Sequence, residues 1–226
     1  MSWFLSFYRS AVGKKAVMAV TGLILFGFVL VHMLGNLKIY QGPEKLNAYA
    51  EWLRVVGAPA IPHSGVLWMF RLVLLGAAGL HILSATQLTL INLKARPVNY
   101  RDRKSIQASY ASRTMRWGGA IIALFVVYHL AHLTWGSAHF DFIPGDAYHN
   151  VVSGFQIWWV SAMYIVAQIA LGFHLSHGLW SMFQSLGWWE PEGRKDWRKT
   201  FATVFAWVVT MGNISFPLAV LAGVVS

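Results

Sequence analysis

The sequence predicts an all-α membrane protein of five transmembrane helices, with the first four forming a bundle. Three observations carry this. Of 226 residues, 57% are hydrophobic and only 12% charged, with a mean hydropathy of +0.51, a composition far from that of a soluble domain. Five apolar stretches, about 16–34, 66–91, 117–135, 157–180 and 201–225, have the roughly 20 residues that cross a bilayer at about 1.5 Å rise per residue. All eight acidic residues, Glu44, Glu51, Asp102, Asp141, Asp146, Glu190, Glu192 and Asp196, fall outside those stretches, so no carboxylate relay runs through the membrane.

Span I follows Lys14 and Lys15, as a secretory signal would. It is longer than a signal's apolar core, has no A-x-A-like cleavage site and carries His32, so we read it as retained. The segment PEKLNAYAEWLRVV after it, with Glu44 and Glu51 seven apart, has the pattern of a short amphipathic helix at the interface. Span II carries His81 and also Arg71, the one cation well inside a span. Spans III and IV carry His129 and His174. Span V has no histidine; with Asn213 and Pro217, it is expected to pack on the four-helix core and shield it from lipid. Gly22, Gly27, Gly76, Gly79, Gly118, Gly119, Gly172 and Gly178 are expected to let helices approach one another or a flat ring. Trp52, Trp68, Trp135, Trp158, Trp159, Trp188 and Trp189 fit interfacial aromatic belts. Without a repeat or long linker, residues 1–226 read as a single domain.

Charge sets the orientation. The net charge of +10 does not read as a nucleic-acid footprint, because the cations sit between spans rather than along one soluble face. Fourteen lie on one side: Arg9, Lys14 and Lys15; Lys94, Arg96, Arg101, Arg103, Lys104, Arg113 and Arg116; and Arg194, Lys195, Arg198 and Lys199. The opposite loops hold Lys38, Lys45 and Arg54. The positive-inside rule therefore makes the N-terminus cytoplasmic and the C-terminus external.

A histidine at bilayer depth is costly and needs a partner, so one per helix on four helices reads as a shared site. With alternating helix directions, His32 and His129 fall within roughly 6–11 Å of the outer helix ends, and His81 and His174 roughly 25–30 Å along from them. This gives an outer pair (spans I and III) and an inner pair (II and IV). Haem held by two histidines at each level is the favoured occupant; such iron has no open position and suits one-electron transfer. Zinc competes, but a buried structural zinc wants four convergent ligands. A third reading is that the histidines only hydrogen-bond between helices. His132 and His177, three residues after His129 and His174, share their faces and compete as ligands. His63, His139 and His149 are expected to be ordinary exposed loop histidines. Arg71 is a candidate for a propionate of the outer haem, and Arg113 and Arg116 either serve the inner haem or simply obey the topology rule.

Five segments in order then carry a resemblance: LVHMLGN at 30–36, LHILSA at 80–85 with ARPVNYR at 95–101, SRTMRWGG at 112–119, VYHLAH at 127–132, and GFHLSHGLWSMFQSLGW at 172–188. The chain resembles, over essentially its whole length, the five-helix, single-chain, dihaem cytochrome b subunit of succinate dehydrogenases and fumarate reductases. The resemblance implies two b haems on His32/His129 and His81/His174. It implies docking of a flavoprotein and an iron–sulfur subunit on the cytoplasmic face, in a bacterial or archaeal cytoplasmic membrane. Electrons would pass from succinate through those partners to the inner haem, then to the outer haem and a quinone, menaquinone in many dihaem members; fumarate reduction is the reverse path.

The absences agree with an anchor. There is no nucleotide-binding glycine motif, no substrate-sized soluble region and no cysteine, so dicarboxylate, flavin and iron–sulfur chemistry must belong to partners, and this chain is a non-dicarboxylate-binding subunit of the enzyme. The alternatives are the dihaem cytochrome b of another quinone-linked dehydrogenase or reductase, an anchor that has lost haem, and a transporter, which the lack of intramembrane acids disfavours.

Overall fold

The computed structural model describes residues 3–95, 110–188 and 197–226. Arg96, Arg101, Arg103, Lys104, Arg194, Lys195 and Trp189, and the acids Asp102, Glu190, Glu192 and Asp196, lie outside the described residues. The described chain is helical, in the order α1 (Trp3–Arg9), α2 (Ala11–Asn36), α3 (Pro43–Val55), α4 (Gly65–Lys94), α5 (Tyr110–Leu133), α6 (Ala147–Gln156), α7 (Trp158–Ser185) and α8 (Trp197–Leu221). Spans I to V correspond to α2, α4, α5, α7 and α8, five helices long and apolar enough to cross a membrane. The protein is a five-helix membrane protein.

Helix α2 starts five residues before the apolar stretch does. Ser10 caps it, its hydroxyl accepting from the Gly13 N–H at 2.9 Å. Lys14 folds back, its ammonium donating to the carbonyls of Tyr8 (3.1 Å) and Arg9 (2.8 Å). It thereby satisfies carbonyls that the end of α1 leaves without helical partners. A residue read as a topology charge is also a helix cap.

At the other end, a short 3-10 turn (Leu37–Gln41) and Gly42, at φ +92°, turn the chain into α3, the expected amphipathic helix. Helix α6 was not anticipated. Asp146 caps it through the His149 N–H (2.9 Å) and receives the Asn47 amide from α3 (2.9 Å), while the Asn47 oxygen accepts from the Tyr148 N–H (3.0 Å). These bonds tie α3 and α6 into one cap over the bundle. The His149 N–H first and the Asn47 amide second hold the Asp146 carboxyl below its ordinary value near 3.8. A depressed carboxyl stabilises the fold above its unfolded pKa, and that contribution fades as pH falls through the folded value. Thermal unfolding in detergent should thus lose part of its stability below about pH 4. Asp146→Ala should cost about 1 kcal/mol at neutral pH and Asp146→Asn much less, while both should flatten the acid limb.

Close backbone packing joins α2 to α4, α5 to α7, α7 to α8 and, more lightly, α2 to α7 and α8. Helix α8 therefore covers α7 and α2, the screening place expected for span V. The diagonal pairs α2/α5 and α4/α7 are not among the closely packed ones. The apolar core lies towards the α3/α6 end, where Met33, Ile39, Leu46, Val152, Phe155, Val160, Tyr164, Val209 and Phe216 meet. In contrast, α4 buries only Ala77, Ser84 and Leu88, which leaves the bundle sparsely filled along α4 and α5. The interfacial tryptophans Trp52, Trp68, Trp135, Trp158, Trp159 and Trp188 are all exposed.

Candidate functional site

Four of the five long helices each bring one histidine to a diagonal. His32 and His129 each stand four residues before the last residue of their helices, about 6 Å from the α3/α6 end. His81 and His174 each follow the first residue of theirs by 16 positions, about 24 Å from the same end. The inner depth is slightly shallower than the 25–30 Å read from sequence, because α7 begins at Trp158, with the separate helix α6 covering the residues before it.

The rings meet across helices that do not otherwise pack closely. His32 and His129 have ring centres 6.0 Å apart with planes crossed at 87°; His81 and His174 are 6.3 Å apart at 62°. Two imidazoles bound to one metal by bonds of about 2 Å have ring centres roughly 6 Å apart. Both pairs therefore stand at the spacing that two axial ligands of one iron need.

Each pair has one ring held by a hydrogen bond. His81 Nδ1 lies 3.2 Å from the Met18 carbonyl and 3.3 Å from the Thr21 hydroxyl, both on α2. The Thr21 hydroxyl donates to the Val17 carbonyl at 2.7 Å, so Nδ1–H donates to Met18 and the Nε2 lone pair is left unused. A metal-binding histidine has this arrangement. His129 Nδ1 lies 3.2 Å from the Tyr164 hydroxyl. His174 Nδ1 is buried with no hydrogen-bond partner, a ring nitrogen that no described protein atom claims. His32 stacks on Phe28 at 5.3 Å.

The glycines divide into three kinds. A Cβ on Gly22 would stand 3.3 Å from the His81 ring, and one on Gly119 3.7 Å from the His174 ring, so each inner imidazole rests against a glycine of a neighbouring helix. Gly172 lets α7 meet Thr210 of α8, while Gly118 has only the Ala170 carbonyl nearby. Gly27, Gly76, Gly79 and Gly178 face open space. Gly178 lies four residues after His174, on the same face. The donor set and the room beside it fit haem; zinc would want four ligands, and among the described residues no His, Cys, Asp or Glu joins either pair.

One matching family decides the class: the succinate dehydrogenase/fumarate reductase transmembrane subunit matches residues 92–214, more than half of the chain. The chain belongs to this family. No curated protein and no solved structure matches it. As a member of this family, it is a multi-pass membrane subunit of an oxidoreductase complex with soluble flavoprotein and iron–sulfur subunits.

Other histidines are placed differently from the expectation. His139 is not an exposed loop residue: it is partly buried, stacks on His132 at 4.7 Å and donates from Nε2 to the Asn150 carbonyl at 2.9 Å. Its tautomer is set, since Nδ1 accepts from the Asp141 N–H at 3.0 Å. His149 is partly buried on α6 and pairs with Asp141 at 3.0 Å. Only His63 is exposed as expected, 3.6 Å from Glu51, which also meets Arg54 at 3.6 Å. Arg71 is exposed, with its guanidinium 4.9 Å over the Trp68 ring, six residues into α4 and so near the level of His32 and His129. Arg116 is exposed near the start of α5. Sequence reasoning missed Tyr164 altogether, although a hydroxyl six residues into an apolar helix was a signal.

Proposed function

We propose that this subunit is the dihaem cytochrome b anchor of its complex, carrying electrons between the iron–sulfur subunit and a membrane quinone, with menaquinone as the expected type. The observation that carries the reading is the pair of diagonal imidazole couples, 6.0 and 6.3 Å between ring centres at two levels. His32 and His129 would hold the outer haem, and His81 and His174 the inner one. Each haem, when bound, supplies a one-electron centre without an open iron position. Met18 and Thr21 orient His81, and Gly22 and Gly119 leave room for the inner rings. Arg71 is suited to a propionate of the outer haem, since its fork matches a carboxylate.

The charge pattern supports placing the α1 end in the cytoplasm of a bacterium or archaeon, where the basic loops would meet the flavoprotein and iron–sulfur subunits. Quinone would exchange protons near the outer pair. The purified complex, titrated while its visible spectrum is recorded, should show two b-type midpoints and two haems per chain by pyridine haemochromogen. One haem or none would overturn the reading.

A further inference from the structure

Tyr164 of α7 lies inside the bundle towards its α3/α6 end, 5% exposed, with its ring edge-on to Phe125 (4.9 Å) and Phe155 (4.8 Å). Its hydroxyl reaches two histidines of α5 at once, His129 Nδ1 at 3.2 Å and His132 Nδ1 at 3.0 Å. His132 is 1% exposed and stacked between Tyr128 (5.4 Å, 13°) and His139 (4.7 Å, 22°). It is therefore a buried polar group that the proposed electron path does not use.

We infer that Tyr164 is the positioning residue of the outer pair, its single hydroxyl proton fixing opposite tautomers on His129 and His132 and so deciding which of them faces His32 as a ligand. This rests on the reading that His129 binds iron. The proton count leads there directly. A neutral imidazole carries one N–H, and a ring that gives its Nε2 lone pair to a metal keeps that proton on Nδ1. His129 Nδ1–H therefore donates to the Tyr164 oxygen. The tyrosine has one proton, and the remaining partner within reach is His132 Nδ1, which accepts it. His132 thus carries its own proton on Nε2, and its ring stays in the Tyr128–His139 stack. The two rings, three residues apart on one helix, are sorted by a residue on another helix.

An acceptor on the far nitrogen raises the basicity of a ligating imidazole and favours the oxidised metal. In the purified complex, Tyr164→Phe should keep both haems but raise the midpoint of the outer component. The shift should reach up to about tenfold in its reduction equilibrium, or about 59 mV for one electron. The inner midpoint should stay in place, and the low-spin ferric resonance of the outer component should move with its potential. A purely structural tyrosine would lower thermal stability without that selective shift. If midpoint and resonance both stay as in the unaltered complex, the inference fails.

Should the phenylalanine variant not assemble, His132→Asn tests the same arrangement: both haems are expected, with a smaller shift of the outer component. An unmoved outer component there overturns the inference equally. His129→Leu separates the two levels of argument. It should remove the outer haem; if His132→Asn removes it and His129→Leu does not, the ligand assignment itself is wrong.

Discussion

His81→Leu is expected to leave one haem per chain instead of two and to abolish one midpoint while the other stays. Of the four paired histidines, His81 is the one held by a backbone carbonyl: Nδ1 is 3.2 Å from Met18 O, a group fixed by helix α2. Removing the ring takes away one of the two imidazoles proposed to hold the inner haem and leaves His174 opposite an apolar chain. Loss of an outer partner alone commonly costs a metal site 10–100-fold, so loss of the ligand should exceed about 100-fold. Succinate oxidation with a soluble dye would report whether the partner subunits still dock, and quinone reduction should fall by more than about 100-fold beside it. The companion variant His177→Leu, three residues beyond His174, should retain both haems. Two haems in His81→Leu would sink the pairing of α4 with α7.

The two levels at which the histidines stand could be read from the sequence because they need only rise per residue and alternating direction. In the sequence His32 stands four residues before Asn36 and His129 seven before Gly136, both near the same end of the bundle; in the structure each stands four residues before the last residue of its helix. The interfacial helix α3 was readable for a similar reason, since amphipathic periodicity is local. What escaped was whatever depended on a partner far along the chain. Tyr164 meets His129 and His132 because α7 lies against α5 in one register, which no apolar pattern specifies. His139 lies in a loop, as read, but is partly buried: beyond Gly136, at φ +74°, its ring stacks on His132. Helix α6 is capped by Asp146 with help from Asn47, 99 residues earlier. The start of α2 at Ala11 depends on Lys14 bonding back to the carbonyls of α1, which hydropathy cannot show. Local periodicity and chain direction set the levels; side-chain partners across helices set the details at each level.

Gly22→Val should be the most damaging substitution outside the histidines. A Cβ on Gly22 would meet the His81 ring at 3.3 Å from Cε1, tighter than ordinary packing, and at 3.6 Å from Nδ1. An alanine there can be accommodated if the ring yields a few tenths of an ångström. The cost falls on the Met18 bond, already 3.2 Å, and on alignment with His174. Valine adds two further carbons on the α2 face against which the His81 ring packs, and overpacking of this kind typically costs about 1–3 kcal/mol. The ring has no equivalent place to go, because Thr21 and Met18 hold it from the same helix. Gly22→Ala is therefore expected to keep two haems with a shifted inner midpoint, and Gly22→Val to lose the inner haem while the outer midpoint stays. The selectivity separates a local wedge from general unfolding, which would remove both. An inner component unchanged in both variants would mean that His81 is not seated against α2 in the assembled complex, and the support assigned to Met18 and Thr21 would fall with it.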